Sequence, residues 1–179
     1  MFLLHTCCAD CAFKLLDSIE NETAYKKEEV VLYFYNPNIH PLAEHLRRQK
    51  AVQKMFPNNQ IIIESWHPQD YFEALKDLDS KVQAKRCSVC WQLRLQKTFA
   101  YAQEHDFKIV SSTLFSSKYQ NFGQIQKIGE DLAQKYKVKF FIPQKIEREK
   151  VNKGFYKQNF CGCCYSLVER LEEKYWNLS

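Results

Sequence analysis

Glycine is scarce in this chain: four among 179 residues, at positions 123, 129, 154 and 162. None follows the first apolar run, so neither GxGxxG nor GxxxxGK[ST] occurs. A standard phosphate-cradling loop for a nucleotide or dinucleotide is thereby excluded. No apolar run approaches the roughly 18–20 residues needed to span a bilayer. Met1 to His5 is apolar too briefly for a secretory leader and has no basic start, so a cytoplasmic protein without membrane association is expected. Charge of one sign does not dominate either. Lys and Arg number 26, Asp and Glu 21, and the net charge is +5. That is a mild preference for polyanions, gathered at Arg47-Arg48, Lys85-Arg86 and Lys145 to Lys157, and by itself it does not point to RNA.

Cysteine, by contrast, is abundant, with eight residues. Without a secretion signal, metal binding or redox chemistry is favoured over a disulfide framework. The spacing agrees: Cys7, Cys8 and Cys11; Cys87 and Cys90; Cys161, Cys163 and Cys164. Three tight clusters far apart in sequence suit ligands better than disulfides.

Strand and helix signals alternate along the chain. Phe2–Thr6, Val30–Tyr35, Ile61–Ile63, Lys108–Leu114 and Val138–Ile142 read as strands, with the runs at 30 and 61 unbroken enough for burial on both faces. Helices are expected over 11–20, after Pro41, over 68–77 and from about Cys87 to Glu104. Ile125, Ile128, Leu132 and Tyr136 mark one face of a further helix, and Val168, Leu171 and Tyr175 one face of a last one. Repeated βα units imply a parallel Rossmann-like sheet with helices on both faces, in a single domain over residues 1–179. In such a sheet, ligands gather beyond the carboxyl ends of the strands. Cys7, Asn36, Trp66 and Ser116 lie near such ends. The cysteines of His5-Thr-Cys-Cys-Ala-Asp-Cys11 therefore stand where a phosphate loop would.

Cys87-Ser-Val-Cys90 reads as a CxxC pair at a helix start, where the dipole lowers thiol pKa, and fits a metal or a dithiol redox pair. Gly162 allows Cys161 and Cys163 to approach closely, while the adjacent Cys163 and Cys164 do not easily face one centre. More than four candidate thiols exceed what one tetrahedral zinc requires, and soft thiolates suit an iron–sulfur cluster with ligands left for a second metal. Asp10 is either an oxygen ligand or a helix N-cap. His5 reads as a core residue. Tyr33, Tyr35 and Tyr119 are candidates for stacking a base, or simply core aromatics.

Five segments, HTCCADC (5–11), YNPNIHP (35–41), RCSVCWQLRLQKT (86–98), SSKYQ (116–120) and YKQNFCGC (156–163), together resemble the cobalamin-independent epoxyqueuosine reductase family. They run in order over nearly the whole chain. The family is similar in fold to the adenine-nucleotide α-hydrolase group without its ATP loop. The resemblance implies reduction of the epoxide of epoxyqueuosine to queuosine at the wobble position of tRNA, the last step of queuosine biosynthesis, with electrons from an unidentified donor. It also implies a [4Fe-4S] cluster beside an additional iron ion. Cys7, Cys8, Cys87, Cys90, Cys161 and Cys163 would be the ligands, with Asp10 or Cys11 assisting, and Cys7, Cys8 and Asp10 at the reacting centre. Asn36, Asn38, Tyr119 and Gln120 are candidates for positioning the modified base. Arg47, Arg48, Arg86, Arg94 and the basic 145–157 segment are candidates for phosphate contacts. Asp10 and Lys118 stand where the family pattern has proline, and Cys164 where it has an aliphatic residue. Two rival readings are a zinc-stabilised tRNA-binding domain using Cys87, Cys90, Cys161 and Cys163, and a dithiol oxidoreductase using Cys87 and Cys90.

Overall fold

The computed structural model describes residues 1–79, 82–117, 120–147, 154 and 156–175. Five strands, β1 (Phe2–His5), β2 (Val30–Phe34), β3 (Ile61–Ile63), β4 (Ile109–Ser112) and β5 (Lys139–Phe140), form one all-parallel sheet in the order β3-β2-β1-β4-β5. The helices are α1 (Ala9–Glu22), α2 (Leu42–Met55), α3 (Pro68–Leu75), α4 (Gln83–Glu104), α5 (Phe122–Tyr136) and α6 (Cys164–Tyr175). This is the α/β architecture that the alternating pattern predicts.

Successive side chains of a strand point to opposite faces, and β1 shows the consequence. Phe2 and Leu4 join Leu15, Leu16, Ile19 and Val52 of α1 and α2 in one core layer. Leu3, between them, joins Leu95, Phe99, Ile125 and Leu132 of α4 and α5 in the other. With every residue of β1 and β2 buried, both strands are apolar along nearly their whole length. The expected burial of Ile61–Ile63 does not hold: β3 is the sheet edge and its isoleucines are half-buried. β5 is two residues long rather than five, since Pro143 follows closely and offers no N–H for pairing.

α6 departs further. Val168, Leu171 and Tyr175 sit at helical spacing, yet they are 51%, 46% and 61% exposed and form no core face. Among the described residues, no helix is long and apolar enough to cross a membrane.

From β1 the chain moves outward through β2 to β3, then returns across β1 to β4. The carboxyl end of β1 thus lies at the point where strand order reverses, the crevice in which open α/β sheets bind ligands.

Gly129 permits α5 to lie against β5. A Cβ there would fall 1.9 Å from the Phe140 ring, which packs against Phe99 and Phe115. Gly129→Ala should therefore destabilise the protein by about 1–3 kcal/mol through overpacking, although alanine is the better helix former by about 1 kcal/mol. Urea unfolding followed by circular dichroism measures this. Equal or greater stability in the variant would mean that the ring can move aside at no cost.

Candidate metal centre

Cys7 leaves the sheet directly after β1. The Thr6 N–H still bonds the Tyr33 carbonyl (2.8 Å), and the Cys7 N–H bonds the Thr113 hydroxyl oxygen beyond β4 (3.0 Å). That hydroxyl in turn donates to Cys7 Sγ at 3.2 Å. The loop is thus fastened on both sides. Cys8 is the N-cap of α1, its sulfur accepting from the Cys11 N–H at 3.5 Å. The Cys7 and Cys8 sulfurs are 3.9 Å apart, and the ligand atoms of Cys7, Cys8 and Cys11 all lie within 4.8 Å of one another, a spacing one metal ion can bridge. Hydrogen bonds from Cys11, then Cys8 and Thr113, pull the Cys7 thiol well below its ordinary pKa. Cys11, sharing its proton with Cys7, is pushed well above.

His5 bonds Ser112 Oγ (2.8 Å) through Nδ1, and its Nε2 is 3.3 Å from the Tyr35 carbonyl. Burial first, and then the charge of Arg94, hold its pKa down to about 3, so the ring is neutral. It is the core histidine that the sequence suggests.

A second group of thiols comes from α4 and the loop at 161–163. α4 starts at Gln83 rather than Cys87, so the CxxC pair lies within the helix and not at its positive end. The expected lowering of its pKa is accordingly absent. Burial raises Cys87, and raises Cys90 to about 11. The Cys161 and Cys163 sulfurs are 3.7 Å apart, and the Ser166 N–H donates to Cys163 Sγ (3.3 Å). The hydrogen bond from Cys163, outweighing burial, lowers Cys161 to about 6. Cys90 and Cys163 pack with Tyr71 and Leu75. Cys164 opens α6 and is half-buried.

Three arginines considered for phosphate contacts are instead internal. Arg48 pairs with Glu44 (2.7 Å) and donates to the carbonyls of Cys161 (3.1 Å) and Phe160 (3.3 Å), holding the second thiol loop. Arg86 pairs with Glu169 of α6 and lies over the Tyr165 ring. Arg94 is buried, with Nε bonded to the Cys90 carbonyl (3.2 Å). None of the three is placed to reach a nucleic-acid backbone. Arg47 lies over Tyr156, and part of the basic 145–157 segment falls outside the described residues.

Asp10 is not the helix cap, since Cys8 has that place. Its Oδ2 pairs with Lys14 (3.0 Å), while the buried Oδ1 has no partner and lies outside the close trio of sulfurs. Asn36 donates to the Thr6 carbonyl (2.9 Å), beside Cys7, and Asn38 is buried with neither amide atom bonded. Gln120 accepts from Trp91 Nε1 (2.6 Å), and Tyr119 lies outside the described residues. Tyr33 and Tyr35 are core aromatics, their hydroxyls donating to Glu64 (2.8 Å) and Asp70 (2.9 Å). Sequence reasoning misses Thr113 and Tyr71. Neither stands in a cysteine motif, and each meets its cysteine through the fold.

As a donor set, three close sulfurs at the end of β1 and four more from α4 and the 161–163 loop exceed a single tetrahedral zinc site. The trio could hold a metal ion; among the described residues Cys87, Cys90, Cys161 and Cys163 form no group as close, but as soft thiols they are donors of the kind an iron–sulfur cluster takes, and the unpartnered Asp10 Oδ1 adds a hard oxygen nearby in sequence.

Residues 2–169 match the family described as Epoxyqueuosine reductase QueH. The chain is similar to the Epoxyqueuosine reductase QueH of Thermotoga maritima, 32% identical over 96% of this chain and 92% of that protein. It is also similar to that of Dehalococcoides mccartyi, 35% identical over 94% and 93%, and to that of Haemophilus influenzae, 32% identical over 92% and 71%.

Gly162 has φ +117°, and a Cβ on it would meet Ile39 at 3.0 Å and Arg48 Nη1 at 3.1 Å. Gly162→Ala should therefore displace the loop and cost about 1–2 kcal/mol. Cys163, now 3% exposed, should be alkylated several-fold faster in the metal-free variant, as read by mass spectrometry. Unchanged alkylation would mean that the loop tolerates the side chain.

Proposed function

Because the chain belongs to the epoxyqueuosine reductase QueH family, and is itself an epoxyqueuosine reductase, we propose that its two thiol groups hold the metals with which it reduces epoxyqueuosine to queuosine in tRNA. The observation carrying this reading is the convergence of Cys7, Cys8 and Cys11 within 4.8 Å at the strand-order reversal, where a nucleotide-binding relative would place phosphate. Cys7, Cys8, Cys87, Cys90, Cys161 and Cys163 bind a [4Fe-4S] cluster and an additional iron, with Asp10 or Cys11 completing the set.

Removing the epoxide oxygen takes two electrons and two protons and yields an alkene and water. If these residues hold a cluster and an iron, those groups would supply single electrons and Lewis acidity toward the C–O bond. The chain's own contribution is positioning. Thr113 and the Cys11 N–H hold the Cys7-Cys8 sulfurs, and Arg48 holds the 161–163 loop against α2. Asn38, with both amide atoms free of partners, is the group we assign to orienting the modified base, with Asn36 beside it. The substrate is the anticodon loop of a tRNA and the electrons come from a separate donor, which places the enzyme in the cytoplasm.

A zinc-stabilised tRNA-binding domain would use four thiols and leave the trio after β1 without a role. A metal-free dithiol enzyme would require a reactive CxxC pair, whereas burial raises both Cys87 and Cys90.

Anaerobically reconstituted protein should be brown, contain iron and sulfide, and convert epoxyqueuosine in tRNA when given a strong reductant. Colourless protein with stoichiometric zinc and no conversion refutes the proposal. Replacing Cys7, Cys8, Cys87 or Cys90 singly by Ala should lower turnover by more than about 100-fold, beyond the range typical of outer-shell partners. Full turnover in any of these variants removes that residue from the site.

A further inference from the structure

Arg94 lies on α4 four residues beyond Cys90 and is 5% exposed. Burying a guanidinium costs several kcal/mol unless anions and acceptors face it. The other buried cations of this region have carboxylate partners: Arg48 with Glu44, Lys14 with Asp10 and Arg86 with Glu169. Among the described residues, no carboxylate forms an ion pair with Arg94.

What lies beside Arg94 is a cysteine of the second thiol group. The Arg94 Nε donates to the carbonyl of Cys90 (3.2 Å), and Cys90, Cys7 and Cys161, drawn from opposite ends of the sequence, are the groups whose charge acts on it most. Arg94 is thus a buried cation without a carboxylate partner, bonded to a residue of the centre whose thiol a metal would deprotonate.

We propose that Arg94 is the counter-ion of the metal centre, its fixed charge both retaining the anionic thiolate–iron assembly and making that assembly easier to reduce. An added electron increases the negative charge of the centre. A buried cation beside it then stabilises the reduced form more than the oxidised one, since local charge is among the factors that set cluster potentials. Arg94 touches no reacting atom in this scheme and is a positioning residue. The inference rests on the iron–sulfur reading given above.

The test compares wild type, Arg94→Lys and Arg94→Gln as anaerobically reconstituted full chains. Folding is checked by far-UV circular dichroism, and the midpoint potential is measured by a mediated redox titration followed in the visible spectrum. Arg94→Gln should disfavour one-electron reduction at least ten-fold, a shift of about 59 mV to more negative potential, and Arg94→Lys should shift it less. Iron loading in Arg94→Lys but not in Arg94→Gln would equally support the counter-ion. A change below two-fold in Arg94→Gln overturns it. So do equal shifts or equal failures to load in the two variants, which would trace the effect to the shape of the guanidinium rather than its charge. Wild-type protein that holds no iron–sulfur centre refutes the underlying reading before any variant is compared.

Discussion

β1 is hydrogen-bonded along both edges, to β2 on one side and β4 on the other, and it ends where the order of strands reverses. Everything at the site depends on that ending. The Thr6 N–H extends the pairing to β2 by one residue, and Thr113 grips both the backbone and the sulfur of Cys7 from the β4 side. Cys8 then starts α1 as its cap. A helix N-terminus in this position offers unpaired N–H groups and a positive dipole, which in nucleotide-binding sheets receive a phosphate. Here the same field receives sulfur, with the Cys11 N–H directed at Cys8. One electrostatic device thus serves a different anion, because the loop carries thiols where glycines would admit phosphate.

The second thiol group has no such local anchor and is assembled from a distance. Cys87 and Cys90 are fixed by α4, whose inner face is Leu95, Phe99 and Ala102 in the core. Cys161 and Cys163 lie on an irregular loop that Arg48 and the His40 N–H hold through backbone carbonyls, the latter at 2.8 Å to Gly162. Arg48 is itself oriented by Glu44, which also accepts from the Tyr156 hydroxyl at 2.7 Å. The sulfurs of this loop therefore depend on α2 and on the loop that follows β2, parts of the chain containing no cysteine.

This division explains what the sequence could disclose. β1 and β2 are legible as short unbroken apolar runs and α5 by its 3.6-residue period, and the thiols because clustered cysteines are rare in a chain without disulfides. The long-range partners are not. Arg47 and Arg48 look alike in sequence, yet one lies over Tyr156 and the other is buried against Glu44 and the Cys161 carbonyl. The start of α4 was obscured because Gln83 to Arg86 is polar and resembles a connection, while the apolar residues begin at Val89. Asp10 read as either an oxygen ligand or a cap from its residue type, but the helix begins at Ala9 and gives the cap to Cys8, two positions earlier. Val168, Leu171 and Tyr175 have the spacing of a core face, and periodicity carries no information about whether anything packs against it.

The protonation of the two groups follows from hydrogen bonds shared among neighbouring thiols. Cys7 and Cys161 are drawn toward thiolate, each stabilised by hydrogen bonds from neighbouring thiols. Cys11 and Cys163 are pushed upward by sharing protons with those same partners. A second thiolate in either group would face the first in a region of low polarizability, so the remaining protons stay on sulfur until a stronger positive charge displaces them. A metal ion supplies that charge and releases the protons as it binds. The metal-free site is therefore poised with one ready ligand in each group, and the ligands still protonated are those that only a metal can recruit.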